Sequence, residues 1–318
     1  MMSRRSRRTM DTSRIFGTPP EPVFNMKGCC LSVNLLEELL FTQATSNDRQ
    51  IRRASTEYGL FKCGPLVECI FIICEQMKQP PETRYVAAEL FDRFMRAHIP
   101  NLKEKVKESH VAPKRRKISL QDEWKHTLRK LCKQLLPFMV SCVQIASKLC
   151  SHYSIVTCRR CAELLQDKGH RYQTSKVLTS ELLVMKTLDY KLHVSSPLGY
   201  IETLLEIMGH NDPDTPVKLL HETCLKILDV VYIKRKLVYS RLLQLAIGDS
   251  PVNPQTRSKF APVENDCMLL ATANIGAASY FIDMNSTQMI NGHLARITHI
   301  PVDDIIDFSS TIISVILH

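Results

Sequence analysis

The chain has 318 residues, 44% of them hydrophobic, which is enough to bury substantial cores and excludes disorder throughout. No apolar run reaches the roughly 18 uncharged residues that a membrane span needs, and the opening MMSRRSRRTMDTSR lacks the apolar stretch of a secretory signal. The net charge of +10 is concentrated in two places: residues 1–14 carry five Arg against one Asp, and residues 101–133 carry eleven Lys or Arg against four acids.

The rest of the chain is therefore near neutral, and basic tails and loops of this kind suit nuclear import or nucleic-acid contact. A soluble intracellular protein is expected. Twelve cysteines are scattered through apolar helical patterns, as between Leu66 and Cys74, which fits free thiols in a reducing compartment.

Helix punctuation recurs along the chain and alternating strand patterns do not, so the class is all-α. Residues 1–28 read as a basic flexible tail. Leu66, Ile70, Ile73 and Met77 form one apolar stripe on a helix that must stop before Pro80 and Pro81. Val86, Leu90 and Phe94 stack at i+4 spacing on the next helix, widened by Ala87 and Phe91, with Pro100 beyond its end.

Residues 101–135 read as a charged inserted loop, with the run Lys114, Arg115, Arg116, Lys117 and an amphipathic piece around Trp124. Pro137 suits the first turn of a helix that is apolar nearly all round from Met139 to Leu149, as expected at the centre of a core. Thr157 caps a short helix ending at Gly169, and Thr174 or Ser175 caps one carrying Leu178, Leu182, Met185 and Leu188. That makes five helices between Leu66 and Tyr190.

Ser196-Pro197 opens a helix that Gly209 ends, and Thr215-Pro216 repeats the device. Residues 248–259 have the composition of a surface loop, and helices follow over about 265–282, 287–297 and 302–317. The second half thus also holds about five helices.

Nothing in these segments builds a catalytic site. Cys158-Arg159-Arg160-Cys161 is a single C-x-x-C with no second pair, so thiols and not a zinc site are expected. His221-Glu222 begins like a zinc-protease helix but lacks the second histidine. No phosphate-binding glycine loop, nucleophile elbow or kinase catalytic set occurs. No enzyme activity, cofactor, metal, small-molecule substrate or membrane partner is expected.

The stretch CEQMKQPPETRYVAAELFDRFM, Cys74 to Met95, resembles the first box of the cyclin family. So do VQIASKLC, Val143 to Cys150, and VLTSELLVMKTLDYKL, Val177 to Leu192, in the family's order. The resemblance implies a cyclin-like fold of two tandem five-helix bundles: a first cyclin box at 29–194, interrupted by the basic loop 101–135, and a second repeat at 195–318. It assigns box-forming roles to Leu66, Glu68, Asp92, Arg93 and Ala146.

It also places Lys148 and Glu181 where cyclins grip the backbone of a cyclin-dependent kinase. A lysine offers donors and a carboxylate acceptors, so the pair can satisfy both polarities of a partner. The run from Lys114 to Lys117 is the candidate nuclear import signal.

Two family features are missing. Where a cyclin's first helix begins Met-Arg this chain has Lys62-Cys63, which removes the usual partner of Asp92 and leaves Lys62, turned inward, to compensate. Cys69 stands for the usual tryptophan, so substrate recruitment through that groove is not expected.

Within the family the resemblance is to a meiotic branch. It implies a nuclear, chromosome-associated germline protein, with the cytoplasm as a second location, that helps recombination intermediates mature into crossovers alongside meiotic recombination proteins. The rival expectations are a conventional kinase-activating cyclin and a cyclin-fold nucleic-acid binder.

Overall fold

The computed structural model describes residues 31–111, 119–151, 154–170, 172–248 and 250–318. The basic tail and the run Lys114 to Lys117 lie outside the described residues, in which every regular element is a helix. The all-α expectation therefore stands. In chain order the helices are α1 (Val33–Arg52), α2 (Gly64–Gln76), α3 (Pro81–Val111), α4 (Leu120–Cys150), α5 (Cys158–Asp167), α6 (Thr174–Thr187), α7 (Pro197–Asn211), α8 (Val217–Ile233), α9 (Arg235–Ile247), α10 (Pro254–Asn265), α11 (Cys267–Ile282), α12 (Thr287–Thr298) and α13 (Val302–Leu317).

The first group, α2 to α6, is built around the second half of α4, where every residue from Pro137 to Ser147 is buried. The second is built around α11, buried nearly all round and packed against α7, α8, α12 and α13. A helix without a polar face has nowhere else to go. One continuous core runs from Val67 to Val315, and α2 meets α8 where Phe71, Tyr85 and Tyr232 cluster with ring centroids 5.0 to 6.2 Å apart.

The predicted caps are partly observed. Thr157 Oγ1 accepts from Arg160 N at 3.3 Å, and Ser196 Oγ accepts from Leu198 N at 3.2 Å. Gly169 ends the α5 segment at φ +82°, where its lack of a Cβ removes the steric cost. By contrast Gln173, not Thr174 or Ser175, precedes α6, and it makes no side-chain cap. Thr215 does not cap α8 either: Pro216 holds that position, and Thr215 Oγ1 donates to Asp212 Oδ2 at 2.8 Å. Gly209 does not end α7, which runs on to Asn211.

The largest correction concerns the inserted loop 101–135. Most of it is helix, because α3 continues through Pro100 to Val111 and α4 begins at Leu120, so that Pro137 lies inside it. Each helix has 31 residues, about 46 Å. An interior proline forfeits a backbone bond and costs about 3 kcal/mol. A seam of Leu102 and Val106 on α3 with Leu128, Leu131 and Leu135 on α4 offsets that cost. At its base His98 stacks on Phe94, with centroids 4.8 Å apart, and meets Phe138 edge-on. Ser109 Oγ donates to Glu123 Oε1 at 3.2 Å near the far end.

The second half holds seven helices among the described residues, not five. The apolar period after Val217 breaks at Lys234 into α8 and α9, and half of the loop expected at 248–259 is the start of α10, capped by Asn253, whose Oδ1 accepts from Thr256 N at 2.7 Å. Helix α1, ahead of the first group, packs on the second. Asn47 Oδ1 accepts from Cys267 N at 2.9 Å, its Nδ2 donates to Asp266 Oδ1 at 2.8 Å, and Gln43 Nε2 donates to Thr203 Oγ1 at 2.9 Å.

Candidate functional site

Lys148 and Glu181 lie 33 residues apart in sequence and meet in the fold. Lys148 sits in the last turn of α4, where the helix dipole favours a cation, and Glu181 sits mid-way along α6. The packing of α4 on α6 brings the Lys148 ammonium onto Glu181 Oε1 in direct charge-assisted contact. The side chain of Glu181 is 3% exposed and that of Lys148 is 43% exposed. The buried carboxylate thus fixes the ammonium while leaving it open to solvent, with two further N–H donors to offer.

Exposed Leu149 follows Lys148, and exposed Leu178 and Leu182 lie on α6 within one turn of Glu181. The arrangement is a held cation with exposed leucines within a turn along α4 and α6, a pattern suited to gripping a protein backbone. Beneath it, burial first and the nearby Cys158 and Glu181 next push the Cys161 thiol up to about 12. Among the described residues no group of three or more His, Cys, Asp or Glu could hold a metal ion.

The residues assigned to the box occupy different positions. Ala146 is fully buried in α4, and Asp92 is fully buried in α3. Leu66 is half-buried, while Glu68 is exposed on the rim of a groove between α2 and α8 that Phe71, Ile72, Arg84 and Asp229 also line. Arg93 donates to the carbonyls of Lys191, at 2.7 Å, and His193, at 3.0 Å, which ties the segment between α6 and α7 to α3. Cys69, where the tryptophan is missing, is half-buried.

Lys62 does turn inward, but not to Asp92. Asp92 accepts from the backbone N–H groups of Gly59, at 3.1 Å, and Phe61, at 2.9 Å, and from Arg96 Nε one turn on at 2.9 Å. It needs no cation from α2. Lys62 is instead bonded to Glu89 Oε1 and donates to the Tyr58 hydroxyl at 2.7 Å, while Glu89 also accepts from the hydroxyls of Tyr58, at 3.0 Å, and Tyr232, at 3.1 Å. Burial lowers the pKa of Lys62 and raises those of Tyr58 and Tyr232 well above the ordinary tyrosine value. Because Tyr232 belongs to α8, this buried cluster joins the two helix groups.

Sequence reasoning missed Glu89 and Tyr232 as partners of Lys62. A carboxylate set among Ala87, Ala88, Leu90 and Phe91 was the available signal, since a buried Glu requires a partner.

Three comparisons bear on identity. The cyclin N-terminal domain family matches residues 63–193, the stretch that holds α2 to α6. Human cyclin N-terminal domain-containing protein 1 is 32% identical over 284 residues, which cover 89% of this chain and 85% of that protein. Its mouse counterpart is 31% identical over 284 residues, covering 89% of this chain and 84% of that protein.

Proposed function

As the chain belongs to the cyclin family, we propose that it is a non-catalytic regulator whose Lys148–Glu181 face grips a cyclin-dependent kinase, and that it scaffolds the maturation of meiotic recombination intermediates into crossovers. The observation that carries the kinase part is the exposed Lys148 ammonium, fixed by buried Glu181, with exposed Leu149, Leu178 and Leu182 as an apolar border along the same stretches of α4 and α6. Charge-assisted hydrogen bonds from that ammonium to a partner's carbonyls contribute about 1.5 to 3 kcal/mol each, so two of them account for roughly a hundredfold or more in affinity. The apolar border adds desolvated contact around them, as at the centre of other interfaces.

The meiotic part rests on the resemblance of the chain to a meiotic branch of the family. Nuclear location is supported by the sequence run Lys114 to Lys117, and chromosome association by the basic segments. Regulation by contact, without catalysis, accords with a family that is regulatory.

Affinity purification from germ cells tests this reading, comparing wild type with the Lys148→Ala/Glu181→Ala variant and with Leu178→Asp. Leu178 is exposed, so its substitution spares the core. A kinase recovered with the wild type and lost with both variants is the expected result. Equal recovery with all three excludes the face as the kinase contact.

A further inference from the structure

The outer halves of α3 and α4 form a helical arm that reaches past the centre of the core. From Asn101 to Ser109 and from Ser119 to Gln134 only Val106 and Leu131 are buried, and Leu131 joins the edge of the core. On the outer face of α4, Lys125, Arg129 and Lys133 follow at i, i+4 and i+8, with His126 and Lys130 alongside, and all five are exposed. The acids of this segment are engaged: Asp122 accepts from Ser119 Oγ at 2.7 Å and lies 3.8 Å from Lys125, and Glu123 accepts from Ser109. Arg129, Lys130 and Lys133 have no carboxylate partner among the described residues. On α3, Lys103, Lys105 and Lys107 add exposed cations, of which Lys107 is paired with Glu104 at 3.0 Å.

We infer that this α4 face binds the phosphate backbone of duplex DNA. From Lys125 to Lys133 the stripe covers about 12 Å of helix, the rise of three to four nucleotides along one strand, and it presents four permanent cations over that distance. Charge and spacing therefore match along the exposed face of α4. A membrane or an apolar peptide groove would call for exposed hydrophobic side chains, and Leu120, at the tip, is the one large hydrophobic side chain of the arm that is strongly exposed among the described residues. Contact of this kind gives no sequence preference, which suits a protein placed on chromosomes by its partners. The inference deepens the chromosomal part of the proposed function and is independent of the kinase part.

Purified full-length protein, without any kinase, separates failure of one from failure of the other. Binding to a mixed-sequence 30-base-pair duplex is measured by fluorescence anisotropy across a salt series. The variants are Arg129→Gln/Lys130→Gln/Lys133→Gln and, as a charge-matched control, Lys226→Gln/Lys236→Gln/Lys259→Gln, whose residues are exposed on other helices. Glutamine keeps helix propensity, and circular dichroism checks the fold. The arm variant should bind about ten- to a hundredfold more weakly near 0.15 M salt, with the slope of log K against log salt shallower by about 2.7, while the control changes less than about twofold. An arm variant that binds like wild type, a control that loses as much, or tighter binding of the wild type to phosphatidylserine vesicles than to the duplex overturns the inference.

Discussion

Replacement of Lys62 by methionine isolates the buried charge that joins the two helix groups. Both Lys62 and Glu89 are almost wholly buried, so the substitution leaves the Glu89 carboxylate in the interior with two tyrosine hydroxyls and without its bonded cation. Stranding one member of a buried pair costs about 3 to 5 kcal/mol, which for a chain of this size lowers Tm by about 5 to 8 °C. Methionine fills much the same volume, so little of the loss comes from a cavity.

The double variant Lys62→Met/Glu89→Gln removes the stranded charge and keeps an acceptor for Tyr58 and Tyr232, so it should recover a large part of the loss. Urea unfolding followed by far-ultraviolet circular dichroism gives the cycle, since the single tryptophan, Trp124, lies in the arm and reports on the arm alone. A Lys62→Met protein within about 1 kcal/mol of wild type, or a double variant no more stable than the single, would refute the buried-pair account.

Two further outcomes follow from packing and burial. In Gly276→Ala the new Cβ would stand 2.6 Å from Asn291 Oδ1 and 3.3 Å from Ser309 Cβ where α11 meets α12 and α13, so a loss of about 1 to 3 kcal/mol is expected in thermal unfolding; an unchanged Tm counts against that close approach. Burial pushes the thiols of Cys74, Cys161 and Cys267 up to about 12. The unfolded chain ionises its thiols near pH 8.5, so above that it holds fewer protons than the native state. The stability these thiols carry is therefore whole below that pH and is lost as the pH climbs toward 12, by up to about 1.4 kcal/mol per thiol per pH unit. Scanning calorimetry under reductant should show a clearly lower Tm at pH 10 than at pH 8, and a flat profile contradicts the burial.

The helix class, the central helix of the first group and most helix starts were legible because they are local. Val140 to Ala146 is apolar on nearly every side, and Ser196-Pro197 pairs a hydroxyl acceptor with a fixed φ. The family likeness of three segments also gave Lys148 and Glu181, which are in contact in the fold. The arm was misread because Pro100, Pro137 and a dense run of charge are each breakers in isolation. The Leu102/Val106 seam that overrides them becomes favourable when α3 and α4 lie side by side.

Sequence by itself determined where the chain turns helical and which faces are apolar, because backbone stereochemistry and hydrophobic periodicity act over a few residues. Tertiary structure alone decided who pairs with whom: Lys62 with Glu89 and not Asp92, Asn47 with the start of α11, and Lys148 with Glu181 as contact rather than analogy. Buried charge is the reason. An ionised group taken out of water is tolerated next to a compensating partner, and which partner lies within reach is fixed by how distant helices pack.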